Sequence, residues 1–167
     1  MYRDNYTAKK KAAVFTNGEG NVGIELDGEN ALKSGKGHAG LEKLNSGSLT
    51  IADKDKNGKL AAEGSEYGAG IGGGCYGAGN NITVSGDAKL LKVQGGVEDN
   101  IDGAGAGIGN GGNSDERAIP VTGAEVVPDT SGLTTNGSIE YYAPGADMEK
   151  DKPEKPRSAP FPRRRSP

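Results

Sequence analysis

The chain has 167 residues, a net charge of −3, no Trp, two Phe, one Cys and one His. That length suits a single domain, a lone cysteine excludes an internal disulfide, and no apolar run reaches the roughly 18 residues of a membrane span. Glycine is the outlier, with 30 residues, against about 7% in an average chain. Each Gly inside a regular element costs roughly 0.5–1 kcal/mol relative to Ala, so these glycines belong at turns that need a left-handed backbone or a close approach.

Residues 1–20 read as a lead-in. The basic run in "MYRDNYTAKKKAAVF" is followed by too few apolar residues for a secretory signal. The chain is therefore either cytoplasmic or a piece of a longer exported chain, and the resemblance described below makes the second the expectation.

Three similar segments then fill residues 21–112. Each opens on an alternating triplet: Ile24-Glu25-Leu26, Leu49-Thr50-Ile51 and Ile82-Thr83-Val84. Each continues with a short apolar piece: Ala31-Leu32, Leu60-Ala61, and Leu90-Leu91 with Val93. Each closes on Ala-Gly-aliphatic: Ala39-Gly40-Leu41, Ala69-Gly70-Ile71 and Ala106-Gly107-Ile108. The openings are 25 and 33 residues apart and the closings 30 and 37, which are solenoid periods with inserted turns. Alternation over three to five residues bounded by Gly and Asn reads as short strands. In a parallel solenoid, equivalent strands stack roughly 4.8 Å apart, which predicts Leu41, Ile71 and Ile108 in one column. The fold class expected is all-β, a right-handed parallel β-helix of about three coils.

Within "SEYGAGIGGGCYGAGNN", residues 65–81, Gly68, Gly70 and Gly73 match G-x-G-x-x-G. A dinucleotide loop needs a strand before it and a helix after it. Here another Gly turn and a strand follow, and a related stretch recurs at residues 105–112. The glycines therefore read as a repeated corner, and no nucleotide cofactor is expected.

In "DKDKNGKL", residues 53–60, Asp53, Asp55, Asn57 and Gly58 match the first ligand positions of a calcium loop. Gly64 stands where that loop needs a bidentate Glu, and three lysines dilute the field. The favoured reading is a polar hairpin with an Asn-Gly turn; a weak Ca²⁺ site on Asp53, Asp55 and Asn57 is the alternative. No other cofactor is expected.

Glu63 and Glu66, and then Glu98, Asp99 and Asp102, could form an acidic patch of the kind sugar-cleaving enzymes use, but no Arg lies near them. His38 stands where the later repeats have Gly68 and Gly105, so its side chain is expected to face outward, and with no second His or nucleophile beside it no triad is expected. Cys75 on its turn reads as neutral. The candidate ligand contacts are Tyr67 and Tyr76, which bracket one corner, with Asn80 and Asn81 after it. Aromatic rings beside amides suit sugar stacking and hydroxyl hydrogen bonding. Tyr141 and Tyr142 are further candidates.

Residues 113–145 read as an irregular β segment or a degraded coil. Residues 146–167 are Pro-rich, charged and nearly free of aliphatics, which predicts a disordered tail. Arg163, Arg164 and Arg165 in it could touch an anionic polymer.

The stretches "IELDGENAL", "GSLTI", "YGAGIGGG" and "NITVSG" resemble repeats of bacterial cell-surface proteins, common in gut Firmicutes and often labelled carbohydrate-binding-domain proteins. The resemblance covers roughly residues 21–112 and implies a right-handed parallel β-helix with no catalytic motif. The leading function is accordingly a non-catalytic extracellular or cell-surface module for adhesion or carbohydrate binding, with a host or cell-surface glycan as partner. A polysaccharide-active β-helix enzyme and a structural spacer are the alternatives.

Overall fold

Alternation decides the elements. Leu49, Ile51 and Asp53 are buried while Thr50 and Ala52 between them are half-exposed, the two-residue period of a strand with one face inward. The computed structural model describes residues 3–7, 11–98, 103–113, 120–147 and 150–154. Every regular element among them is a strand: β1 (Arg3–Thr7), β2 (Val14–Thr16), β3 (Val22–Glu25), β4 (Glu29–Lys33), β5 (Leu41–Lys43), β6 (Leu49–Asp53), β7 (Lys59–Glu63), β8 (Ile71–Gly72), β9 (Ile82–Gly86), β10 (Lys89–Gln94), β11 (Ile108–Gly109) and β12 (Ser138–Tyr142).

The strands form three sheets, ordered β1-β4-β7-β10-β12, β2-β5-β8-β11 and β3-β6-β9. All pairings between these strands are parallel. From β3 to β11 the chain visits the third, first and second sheets in turn and then repeats, so β3 lies under β6, β4 under β7 and β5 under β8. The architecture is all-β with stacked parallel sheets, compatible with a solenoid.

The core is a set of columns. Leu41 pairs with Ile71 and Ile71 with Ile108, as the repeat predicts, and Val14 extends the column below Leu41. Leu41, Ile71 and Ile108 are no more than 1% exposed. A second column runs Leu32, Ala62, Val93, Tyr141, and a third Asn30, Leu60, Leu90, Ile139. Leu91, expected as part of the apolar piece, is instead the extra residue of a bulge between Leu90 and Lys92 and is 37% exposed.

The first triplet sits two residues from its expected register. Val22, not Ile24, pairs with Leu49 and through it with Ile82, while Ile24 aligns with Ile51 and Val84. A shift of two keeps every side chain on its face. Leu26 leaves the strand and packs at the corner, where a Cβ on Gly58 would stand 2.4 Å from the Leu26 Cβ.

Residues 53–60 do not form a hairpin, because β6 and β7 belong to different sheets. An Asn-Gly hairpin turn needs positive φ at both residues. Here the left-handed residue is Lys56, at φ 64°. The Asp53 carboxylate shapes the corner instead, accepting from the Asp55 N–H at 3.1 Å and the Gly58 N–H at 2.8 Å.

The corner glycines are demanded mainly by close approach. A Cβ on Gly68 would lie 1.9 Å from the carbonyl oxygen of His38, and one on Gly105 would lie 2.1 Å from that of Gly68. His38, Gly68 and Gly105 therefore stack at equivalent places, and the upper two positions have no room for a side chain.

β1 and β2 carry the pairing into residues 1–20, below the first repeat. At the other end, residues 120–142 cover the stack. The Asp129 N–H donates to Ile82 O and the Val84 N–H to Asp129 O, both at 2.9 Å. The Glu125 carboxylate accepts from the N–H groups of Gly107 and Ile108 at 2.6 and 3.1 Å, satisfying part of the β11 edge. Part of the tail expected to be disordered lies against β12: the Glu154 N–H donates to Tyr141 O at 2.6 Å. The run Arg163–Arg165 lies outside the described residues.

Candidate functional site

Past β8 the chain must turn into the third sheet over neighbouring backbone. A Cβ on Gly73 would lie 2.2 Å from Gly77 O, and one on Gly111 would lie 1.7 Å from Gly74 O. Bare backbone therefore floors this corner. The Tyr76 N–H donates to Gly112 O at 2.9 Å, and the Gly112 N–H donates to Tyr67 O at 2.7 Å, which joins two successive corners.

A shallow cleft of about 250 Å³ opens on that floor, walled by Tyr76, Ala78, Asn110, Asn113 and Val121. Tyr76 is held at φ 62° and is 66% exposed, so its ring is presented to solvent. Asn110 Oδ1 accepts from the Gly79 N–H at 2.9 Å, and Asn113 Oδ1 accepts from the Val121 N–H at 3.4 Å. Each amide is thereby oriented with its NH₂ left to donate. The site combines a flat apolar ring, two amide donors and backbone carbonyls.

Of the residues expected to contact ligand, only Tyr76 lines this cleft. Tyr67 does not line it, and its hydroxyl donates to the Glu98 carboxylate. Asn80 and Asn81 are exposed on the approach to β9, and Asn81 O accepts from the Leu49 N–H at 2.9 Å. Tyr141 and Tyr142 are buried, each 9% exposed, as the upper end of the core. Asn110, Asn113 and Val121 escaped sequence reasoning. One signal existed: the second repeat reads Ile71-Gly72-Gly73 and the third Ile108-Gly109-Asn110, so a side chain replaces a corner glycine there.

The three corner carboxylates among the described residues, Glu63, Glu66 and Glu98, are held in ion pairs. Lys36 Nζ reaches Glu66 at 3.0 Å and Glu98 at 3.4 Å, and Lys92 Nζ reaches Glu63 at 3.5 Å. Glu66 first, then Glu98, holds the Lys36 ammonium above its ordinary pKa. The Tyr67 hydroxyl, then Lys36, holds Glu98 below the usual carboxylate range. Asp99 and Asp102 lie outside the described residues.

At the calcium-like loop, the two Asp53 oxygens face backbone amides, and Asn57 Nδ2 donates to Asp27 Oδ1 at 2.7 Å. Among the described residues no group of three or more His, Cys, Asp or Glu could hold a metal ion. His38 Nδ1 lies 2.7 Å from the largely buried Glu42 carboxylate, which also accepts the Ala39 N–H at 3.3 Å. The pair braces the turn before β5. Burial pushes the half-buried Cys75 thiol up, away from the thiolate form a nucleophile needs.

No helix among the described residues is long and apolar enough to cross a membrane. Comparison with protein families, with curated proteins and with solved structures gives no match.

Proposed function

We propose that the chain is a non-catalytic carbohydrate-binding module of an extracellular or cell-surface protein, built as a right-handed parallel β-helix of about three coils. The single observation that carries this reading is the Tyr76 cleft: an exposed ring on a rigid left-handed backbone beside two oriented amides. An aromatic face covers the C–H face of a sugar ring, and amide donors meet its hydroxyls. The glycine floor admits a flat ligand close to the backbone. The ion-paired carboxylates at the corners favour binding over acid–base chemistry, which needs a carboxyl free to exchange its proton. The resemblance to bacterial surface repeats favours the same reading.

The test is a glycan array probed with the full chain. Tyr76→Ala should weaken binding at least tenfold. Asn110→Asp, which keeps the acceptor for Gly79 and removes the donor, should weaken it as well. Tyr67→Phe should leave it unchanged. A chain that binds no glycan, or whose binding ignores Tyr76, would overturn the proposal and favour a structural spacer.

A further inference from the structure

A second cleft, of about 650 Å³, lies at a different corner, between the third and first sheets. That size falls in the range of roughly 300–1,000 Å³ common for small-ligand sites. It spans successive repeats: Asp27, Gly28 and Glu29 from the first, Lys56, Asn57 and Lys59 from the second, and Lys89 from the third. Glu29, Lys59 and Lys89 are in register on β4, β7 and β10. Residues in register on adjacent parallel strands share a face. Their neighbours Leu60 and Leu90 are buried, so this column faces out.

The acids of the cleft are already occupied. Glu29 pairs with Lys59 at 3.6 Å, and Asp27 Oδ1 accepts from Asn57 Nδ2 at 2.7 Å. Lys56 and Lys89 have no acidic partner among the described residues. The stacking places Lys89 one strand spacing from Lys59, roughly 4.8 Å, with no carboxylate above it, since its next partner is Ser138. Three lysines against Asp27 and Glu29 leave the cleft with a net charge of +1, and Lys56 and Lys89 are the two of these lysines without an acidic partner among the described residues, so an anion between them is attracted to both. The floor is rigid: Asn30 Nδ2 donates to Asp27 O at 3.1 Å and to Lys59 O at 3.2 Å, and the Lys59 N–H donates to Gly28 O at 2.8 Å.

We propose that this cleft binds an oxyanion, a sulfate or carboxylate group, between Lys89 and Lys56. Lysines act as point charges without a directional fork, so either group suits the site. The group could be a free ion or a substituent on an acidic polysaccharide. The inference is independent of the Tyr76 cleft, which sits at another corner and is built from other residues.

The test is an amide-resolved NMR titration of the full chain with three probes: inorganic sulfate, a galacturonate tetramer and an uncharged galactose tetramer. Saturable shifts are expected at Gly28, Asn57 and Lys89 with an anionic probe and none with the uncharged one. Added salt should weaken the binding. Tighter binding of the acidic tetramer than of sulfate identifies a polymer-borne group; sulfate alone identifies a free ion. Lys56→Asn with Lys89→Gln should weaken binding at least tenfold, and Lys89→Gln alone should weaken it measurably, while Lys33→Gln, which like the latter removes one charge but at the far end of β4, should change it less than twofold. If the double variant fails to fold, Lys89→Gln alone serves, checked by circular dichroism. Absence of saturable shifts with both anionic probes, or equal losses in the cleft and Lys33 variants, would overturn the proposal.

Discussion

Replacing Gly68 by Ala tests the stacking directly. The new Cβ would lie 1.9 Å from the His38 carbonyl oxygen, 2.3 Å from its carbon and 2.9 Å from the Ala39 nitrogen. Ordinary contacts between heavy atoms begin near 3.5 Å, so the two layers must part locally by roughly 1.5 Å. The obstacle is backbone on both sides, so no rotamer change relieves it. Two bonds between these layers bear the displacement: Ser65 N–H to His38 O at 3.2 Å and Gly40 N–H to Ala69 O at 3.1 Å. Leaving a buried backbone group unsatisfied costs about 1–3 kcal/mol. The expected loss is therefore on the order of 3–5 kcal/mol, a large share of a typical domain's 5–15 kcal/mol. Gly23→Ala is the control, since nothing lies within 4 Å of its added Cβ and its φ is not positive. It should be neutral or stabilise by about 0.5–1 kcal/mol. Urea unfolding followed by far-ultraviolet circular dichroism reads both. A difference below about 1 kcal/mol between the two variants would refute the claim that the corner glycines are required by contact between layers.

Three further outcomes are expected. Ile71→Ala, in a fully buried column whose spacing is fixed by the backbone ladder, should cost about 3–5 kcal/mol in the same urea assay, whereas Val14→Ala, 40% exposed at the column's end, should cost about 1 kcal/mol. Asp53→Ala should destabilise by about 1–3 kcal/mol, because the Asp55 and Gly58 N–H groups lose their acceptor, and the loss should persist with calcium added. Tyr141 has its pKa raised to about 12, first by burial and then by the Glu125 charge. The folded state thus holds the phenolic proton more tightly than the unfolded chain. Its contribution is fully present below pH 10 and is lost as pH rises from about 10 to 12. The drop in melting temperature across that window should be smaller in Tyr141→Phe.

The strands were legible because their signal is local. Alternating triplets fix which side chains face in, and Ala-Gly-aliphatic fixes where a strand restarts after a corner, so Leu41, Ile71 and Ile108 could be aligned from spacing alone. The register of the first triplet was not legible. Placing Ile24 or Val22 against Leu49 buries the same face, and only in the structure is Val22 seen opposite Leu49, with Leu26 meeting Gly58 across the corner. The site was less legible still. Tyr67 and Tyr76 look equivalent in sequence, but one hydroxyl meets Glu98, 31 residues away, while the other ring stands free beside Asn110 and Asn113.

The sequence by itself determined an all-β chain of repeats, with glycines at the corners and aliphatics turned inward, since periodicity and composition are properties of neighbouring residues. The tertiary structure alone decided which corner became a cleft, which carboxylates were neutralised, and that Asp53 builds a turn. Those outcomes depend on residues some 30 positions apart being brought to within a strand spacing, and a chain read in order carries no measure of that distance.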